Sequence, residues 1–194
     1  MRESLLEYLR CPVCGVEDLR VDAERREADE IEEGRIVCAG CDIGYPIVRG
    51  IPRMLPEAQR YLDGGAGAVA EGDEYAKAMR RTVTQYSSYQ GGVALPFVGT
   101  RDDATNLEQR TGLSLSDFAG QVCLEAGCGN GRFTRVMAKA GAKVAIGFDA
   151  GFAVDEARRL SRDFDNVHWL QGDILRPPFR QSRIDRAISL GVLH

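Results

Sequence analysis

The second half of the chain alternates short apolar runs with segments of helical spacing. The runs have the length of buried strands, and they are Val122–Leu124, Val144–Phe148 and Val167–Leu170. Between the first two, a helix face with i, i+3, i+4, i+7 spacing is formed by Phe133, Val136, Met137 and Ala140. A further helix is expected over about 152–162 and a fourth strand within 184–194. This alternation predicts an α/β fold with a parallel sheet.

A glycine-rich turn follows the first of these strands. From Glu125 the chain reads Glu-Ala-Gly-Cys-Gly-Asn-Gly, with glycines at 127, 129 and 131. Glycine permits positive φ and close approach of the backbone to a ligand, and the first amides of the next helix would point at that ligand. The turn suits a nucleotide-like or carboxylate-bearing cofactor, and a turn without any ligand is the alternative. A dinucleotide fingerprint is disfavoured, because Arg132 stands where its third glycine would fall.

The motif Glu-x-Gly-x-Gly-x-Gly resembles motif I of the class I S-adenosylmethionine (SAM)-dependent methyltransferases. The resemblance implies a Rossmann-like sheet, and it implies SAM as cofactor with the glycine loop along its methionine part. Asp149 would hold the ribose hydroxyls, Asp173 would accept the adenine amine, and Ile174 would flank the ring. The full implied cofactor set is Glu125, Gly127, Cys128, Gly129, Asn130, Gly131, Asp149, Ala150, Asp173, Ile174 and Leu190.

Each acidic position also has a structural alternative. Asp149 could cap the following helix, and Asp173 could serve a turn. The family often has Ser two residues after the ribose acid, whereas this chain has Gly151, a weaker cap. No catalytic base is identifiable, since His194 could be either a base or a structural residue.

The family's sheet has seven strands in the order 3-2-1-4-5-7-6, and this sequence supplies the first four. The fourth strand is therefore expected at an open edge beside the first, where it would invite pairing. The expectation is the front half of a methyltransferase: a fragment, a degenerate gene product, or a chain whose sheet a homodimer completes.

Four cysteines near the N-terminus form two Cys-x-x-Cys pairs, which are Cys11, Cys14, Cys38 and Cys41. Four thiolates around one tetrahedral ion are typical of structural Zn²⁺, with no open position for catalysis. A disulfide pair, an iron site and a redox Cys-x-x-Cys remain alternatives.

The residues around these cysteines carry a second resemblance. The segments Leu5–Cys14 and Cys41–Leu55 share the frame L-L-x-x-L-x-C-P-x-C and C-x-x-x-Y-P-I-x-x-G-I-P-x-M-L with the Trm112-like zinc ribbons. Proteins of that family activate methyltransferases, which implies a protein partner or a fused methyltransferase. Tyr45 is expected to pack in the core of this small domain.

Charge narrows the range of partners. Residues 1–56 contain 8 basic and 12 acidic residues, so they carry the whole net charge of −4. An acidic ribbon is poorly suited to phosphate backbones, which disfavours nucleic acid. The run Asp29–Glu33 is expected at a solvated hairpin tip, with Gly34 in the turn. No apolar run approaches the roughly 20 residues of a membrane helix, and no signal peptide is evident, so a cytoplasmic location is expected.

These observations divide the chain into three parts. A Trm112-like zinc ribbon is predicted over 1–56, a linker and helical cap over 57–118, and half a methyltransferase domain over 119–194. Within the middle part, Gly64–Ala68 is predicted as a flexible linker and 106–113 as a helix. A longer helix is predicted over 74–89 from the apolar spacing of Tyr75, Ala78, Met79, Thr82, Val83 and Tyr86.

The predicted function is methyl transfer from SAM to a small-molecule acceptor. The alternative is a non-catalytic module that docks a partner methyltransferase and carries a vestigial SAM-binding half. An NAD-binding protein is disfavoured by the glycine spacing.

Overall fold

The computed structural model describes residues 1–55, 74–90 and 102–192, with the side chains of residues 80 and 84–90 excluded. These residues form one mixed eight-stranded sheet in the order β1-β2-β3-β4-β7-β6-β5-β8. The strands are β1 Leu19–Glu27, β2 Glu30–Cys38, β3 Gly44–Val48, β4 Ile51–Met54, β5 Val122–Ala126, β6 Val144–Asp149, β7 Val167–Gly172 and β8 Arg186–Ile188. The helices are α1 Glu74–Gln90, α2 Asp103–Thr111, α3 Arg132–Lys139 and α4 Ala153–Arg159, with 3-10 turns at Glu3–Tyr8 and Leu115–Phe118.

The C-terminal half confirms the predicted α/β fold. Strands β7, β6, β5 and β8 are parallel neighbours, which is the expected order 3-2-1-4 of a methyltransferase sheet. All six residues of β7 are buried, as expected for a strand covered on both faces. On its side away from β5, β8 has no neighbouring strand among the described residues.

The N-terminal ribbon continues this sheet instead of standing apart from it. Strands β1 to β4 form an antiparallel meander, and β4 then pairs in parallel with β7. The register places Arg53 opposite Gln171 and Met54 opposite Gly172. The pairing covers the edge of β7 that β6 leaves free. No sequence pattern indicates this pairing, and the three domain boundaries given above remain predictions.

Backbone hydrogen bonds and ion pairs also fasten the ribbon to the other half. Arg10 donates its backbone amide to the Pro178 carbonyl at 2.9 Å, and Arg180 donates its amide to Tyr8 at the same distance. On α4, the Arg158 guanidinium lies against Gly50, donates to Glu30 at 2.8 Å and also contacts Glu32. A side chain at Gly50 would overlap that guanidinium.

The expected hairpin tip was wrong. The β1–β2 turn lies at Ala28 and Asp29, and Glu30 already begins β2. Ile31 is completely buried, so strand alternation directs its two acidic neighbours the other way, towards Arg158. Gly34 lies inside β2 opposite Ala23, next to an irregularity in the register.

Of the two helices in the middle region, one matches its predicted range and the other starts earlier than predicted. Helix α1 confirms the helix predicted over 74–89. Helix α2 begins at Asp103, because Asp102 accepts hydrogen bonds from the amides of Ala104 and Thr105, and it ends at Gly112. The predicted linker Gly64–Ala68 and His194 lie outside the described residues. Within the described ranges, no helix combines the length and the apolar character needed to cross a bilayer.

Candidate functional site

The glycine turn lies between β5 and α3, at the carboxyl end of the parallel strands. Its glycines have φ angles of 79°, 54° and 72° at 127, 129 and 131. The amides of Gly127 and Cys128 both donate to the Phe148 carbonyl, at 2.7 and 3.1 Å, which ties the turn to the end of β6. Positive φ therefore favours glycine at all three positions, and the two bonds to Phe148 fix the start of the turn against the end of β6.

Gly131 has a second structural reason to be glycine. The indole of Trp169 on β7 occupies the space that a Cβ at Gly131 or at Gly147 would need. The indole is 5% exposed and donates to the Ser161 hydroxyl at 2.7 Å. Trp169 thus packs directly beneath the glycine turn, a relation that sequence spacing could not indicate.

Asp149 ends β6 and faces the glycine turn. Its carboxylate accepts from the Gly129 amide at 2.8 Å and from the Gly151 amide at 2.7 Å. Burial raises the pKa of Asp149, while the amides of Gly151, Gly129 and Ala150 favour the ionised form. The structure therefore joins the two elements that the sequence analysis assigned to the cofactor, and Asp149 also binds the start of the following turn.

Glu125 has a more structural environment than the resemblance implied. It is 3% exposed, and its Oε2 accepts from the Thr134 amide at 2.7 Å and from the Thr134 hydroxyl. Burial raises the pKa of Glu125 to about 7, against the opposing effect of both bonds from Thr134. Glu125 thereby anchors the first turn of α3, and Thr134 is a residue that the sequence analysis missed. Its signal was a hydroxyl on the helix face that is otherwise apolar and buried, formed by Phe133, Met137 and Ala138.

Asp173 follows β7 at the same edge of the sheet. One oxygen accepts from the Leu175 amide at 2.9 Å, as the turn alternative required. The other accepts from the Tyr75 hydroxyl of α1, and the Arg176 guanidinium lies 4.4 Å from the centre of the Tyr75 ring. The sequence places Tyr75 only on the apolar face of its helix. In the structure, its hydroxyl contacts Asp173, the residue expected to bind the adenine amine.

The remaining predicted residues surround these groups. Cys128 is buried, and its burial raises the pKa of its thiol. The Asn130 carbonyl accepts from Arg135 at 2.7 Å, and the Ala150 carbonyl accepts from Gln171 at 2.8 Å. Ile174 and Leu190 are partly buried against opposite core clusters of the sheet.

The four cysteines of the ribbon converge at one point. Their sulfur atoms lie within 4.8 Å of one another, with Cys11 to Cys41 at 3.7 Å and Cys14 to Cys38 at 3.5 Å. A tetrahedral Zn²⁺ with bonds of about 2.3 Å would separate its sulfurs by about 3.8 Å, whereas a disulfide needs about 2.05 Å. The arrangement fits a metal ion and not a disulfide pair.

The surroundings of the cluster support its ligands. The Tyr45 hydroxyl lies 3.1 Å from Cys11 Sγ, and the Gly40 amide donates to Cys38 Sγ at 3.3 Å. Burial opposes ionisation of Cys11, yet hydrogen bonds from Tyr45 and the backbone lower its pKa to about 6. Tyr45 is therefore a buried residue that also contacts the cysteine cluster.

A cleft of about 920 Å³ lies elsewhere, between the β1–β2 hairpin and α4. Among the described residues, none of the predicted cofactor ligands lines it. Its charged groups largely pair with one another, as Arg158 does with Glu30 and Glu32 and as Arg49 does with Asp155. The cleft is distinct from the glycine-loop edge.

Comparison with known families gives two matches along the chain. The Trm112p-like protein family matches residues 2–50, and the methyltransferase domain family matches residues 123–194. A UPF0434 protein of Maricaulis maris is 42% identical over 60 residues, which are 31% of this chain and 81% of that protein.

The similarity to solved structures covers only part of this chain. The Trypanosoma brucei PRMT1 enzyme–prozyme complex with AdoHcy is 30% identical, with 39% of this chain covered and a TM-score of 0.36. The chain spans only 25% of the length of that structure. A chain from the complex between the Haloferax volcanii Trm112 methyltransferase activator and its methyltransferase is 38% identical, with 31% of this chain and all of that chain covered and a TM-score of 0.29.

Proposed function

Because the chain belongs to the Trm112-like UPF0434 family through its N-terminal part and continues into a methyltransferase domain, we propose that it binds SAM at the glycine-loop edge. The proposed reaction is methyl transfer from SAM to a small-molecule acceptor. SAM supplies an activated methyl group, so the protein's contribution is to hold donor and acceptor in line.

The contact between Gly129 and Asp149 is the observation that carries this proposal. It brings the glycine turn after β5 and the acid after β6 within hydrogen-bond distance, at 2.8 Å. Asp173, after β7, completes a row of polar groups at the carboxyl ends of three adjacent strands. Ligands of open α/β sheets bind at that edge. A carboxylate that can accept two hydrogen bonds suits the paired hydroxyls of a ribose.

Electrostatics favour a small acceptor over nucleic acid. Residues 57–194 contain equal numbers of acidic and basic residues, and the ribbon is acidic. A protein that neutralises several phosphates needs a concentration of lysine and arginine that this chain lacks.

The metal that we propose for the cysteine cluster is zinc, in a structural role. Cys11, Cys14, Cys38 and Cys41 would fill all four tetrahedral positions, which leaves none for a reacting water. Zinc would hold together the two knuckles from which the β1–β4 meander projects.

Calorimetric titration with SAM and S-adenosylhomocysteine, with NAD as control, tests the cofactor proposal. We expect micromolar binding of both adenosyl ligands and none of NAD. Asp149→Asn should weaken binding about 10- to 100-fold, because a hydrogen bond to a charged group is lost. Asp165→Asn is the matched control, since that side chain is fully exposed at the opposite end of β7. A folded, zinc-loaded chain that binds neither ligand would sink the proposal.

A partner-docking role is the second candidate, and the Trm112p-like match favours it. In this structure, however, the ribbon's own β4 pairs with β7 of the same chain. A docking role in trans would therefore have to use another surface, such as the outer edge of β1. A second copy could also pair along the side of β8 that has no neighbouring strand among the described residues. Sedimentation analysis of the zinc-loaded chain separates monomer from homodimer.

A further inference from the structure

Arg53 is a fully buried arginine that links the ribbon to the loop after Asp149. It lies on β4 and is 0% exposed. Its guanidinium donates to both carboxylate oxygens of Asp155, at 2.8 and 3.1 Å, and to Oε1 of Gln171 at 3.1 Å. One strand of the zinc ribbon thus contacts the first turn of α4 and the neighbouring strand β7 through a single side chain.

Gln171 carries this contact one step further. On β7 it pairs with Arg53 of β4 on one side and with Asp149 of β6 on the other. While its oxygen accepts from Arg53, its amide nitrogen donates to the Ala150 carbonyl at 2.8 Å. An amide side chain can serve both neighbours in this way because it carries both an acceptor and a donor.

The two contacts hold both ends of one short segment. Ala150 immediately follows Asp149 and is bound by Gln171, while Asp155 is bound by Arg53. The residues between them form the turn from β6 into α4, and Asp149 itself accepts from Gly151 within it. Moving this turn would therefore move the carboxylate that faces the glycine loop.

Stability alone is a weak reason for this arrangement. Burying a charged pair costs desolvation that its attraction only partly offsets. In addition, Nε of Arg53 is buried and has no hydrogen-bond partner among the described residues. The geometry, in contrast, is specific, since the planar fork of an arginine fixes the carboxylate and the amide oxygen together.

We infer that Arg53 and Gln171 are positioning residues of the cofactor site: they set the turn Ala150–Asp155 and, through it, the orientation of Asp149 towards a ribose. The inference rests on the proposed function. It means that the zinc ribbon acts on ligand binding within its own chain. If it is correct, a change at Gln171 should weaken ligand binding only while the Asp149 carboxylate is present.

The test is a double-mutant cycle on binding of S-adenosylhomocysteine. Gln171→Met keeps the length of the side chain and removes both of its hydrogen bonds. The protein contains one tryptophan, Trp169, which packs beneath the glycine turn, so its fluorescence can follow the titration. We expect Gln171→Met to weaken binding about three- to tenfold, the effect of roughly one hydrogen bond. In an Asp149→Asn background the same change should have little further effect, because coupled residues are not additive.

Arg159→Met is the matched control. Arg159 lies on the same helix α4, is largely exposed and pairs with the exposed Glu156, and it has no described contact with Gln171, Ala150 or Asp155. Its removal should leave the affinity unchanged. If Gln171→Met does not fold, Gln171→Glu replaces it. That variant keeps an acceptor for Arg53 and loses the donor to Ala150, so it should fold and still bind more weakly.

The outcomes separate the two proposals. A wild-type chain that does not bind the ligand overturns the proposed function and this inference with it. A wild-type chain that binds, with unchanged affinity in the Gln171 variants, overturns the inference alone. Full additivity with Asp149→Asn also overturns it, because the role of Gln171 would then be general stability.

Discussion

His168 should make the stability of the folded chain fall in mild acid. It lies on β7, is 6% exposed, and faces the N-terminus of the ribbon. Burial is the main cause that lowers its pKa from 6.5 to about 4, and the positive charges of Arg2 and the Met1 ammonium act in the same direction. Glu30 opposes them. The histidine is therefore neutral in the folded chain at pH values where the unfolded chain already protonates it.

The sign and size follow from these two pKa values. Between pH 6.5 and pH 4 the unfolded state binds the additional proton, so stability is lost as the pH falls. From pH 8 to pH 5 the loss attributable to His168 is about 2 kcal/mol. Below pH 4 it should level off.

Other titrating groups overlap this range, and Glu125 and the Met1 ammonium are two of them. Burial raises the pKa of Glu125 to about 7, so this group stabilises the folded chain increasingly as the pH falls from 7 to 4.5. Burial lowers the pKa of the Met1 ammonium to about 6, so this group destabilises the folded chain as the pH falls from 8 to 6. Comparing wild type with His168→Leu cancels both contributions, because they are present in each protein.

The assay is urea unfolding of both proteins at a series of pH values, at constant zinc concentration. The free-energy difference between wild type and His168→Leu should shift by about 2 kcal/mol in favour of the variant from pH 8 to pH 5. A difference that stays constant over that range would refute the reasoning. His168 would then not be buried against the ribbon in solution.

Three more changes have expected outcomes. Gly131→Ala combines a positive φ with overlap on the Trp169 indole, so it should lower stability by about 2–4 kcal/mol in thermal unfolding; a loss below about 1 kcal/mol would contradict the packing. Cys38→Ser should abolish stoichiometric zinc binding measured by atomic absorption, and zinc retained at one equivalent would argue against four-thiolate ligation. Arg158→Met removes the ion-pair partner of Glu32 and one of the cationic partners of Glu30, and it should destabilise the chain by about 1–3 kcal/mol in urea, whereas Arg159→Met, which loses only an exposed pair, should change little.

The location of the candidate site could be predicted from the sequence because its signals are local. A strand followed by glycines places a turn at the carboxyl end of β5, and the next strand must end at the same edge if it is parallel. Asp149 therefore faces Gly129 by topology alone. The convergence of the cysteines was likewise predicted from a local signal, the spacing of the two Cys-x-x-Cys pairs.

The residues that hold this site together carry no such signal. Arg53 stands in a short run, Ile51–Met54, and its partner Gln171 lies 118 residues further along the chain. Nothing in either segment indicates that β4 and β7 are neighbours, because a strand edge can pair with many others. Tyr75 was read as one apolar position among several, and only the tertiary fold brings its hydroxyl to Asp173.

Each edge and each face of strand β7 contacts a different part of the molecule. Towards β6 it carries Gln171 opposite Asp149, and towards β4 it pairs with the ribbon. Trp169 on one face packs beneath the glycine turn. On the other face lies His168, whose pKa is lowered by burial and by the positive charges at the ribbon's N-terminus. A change that detaches the ribbon would therefore expose the edge of β7, free His168 to protonate and release the turn after Asp149 together. In acid, protonation of His168 should therefore weaken the contact between the ribbon and β7.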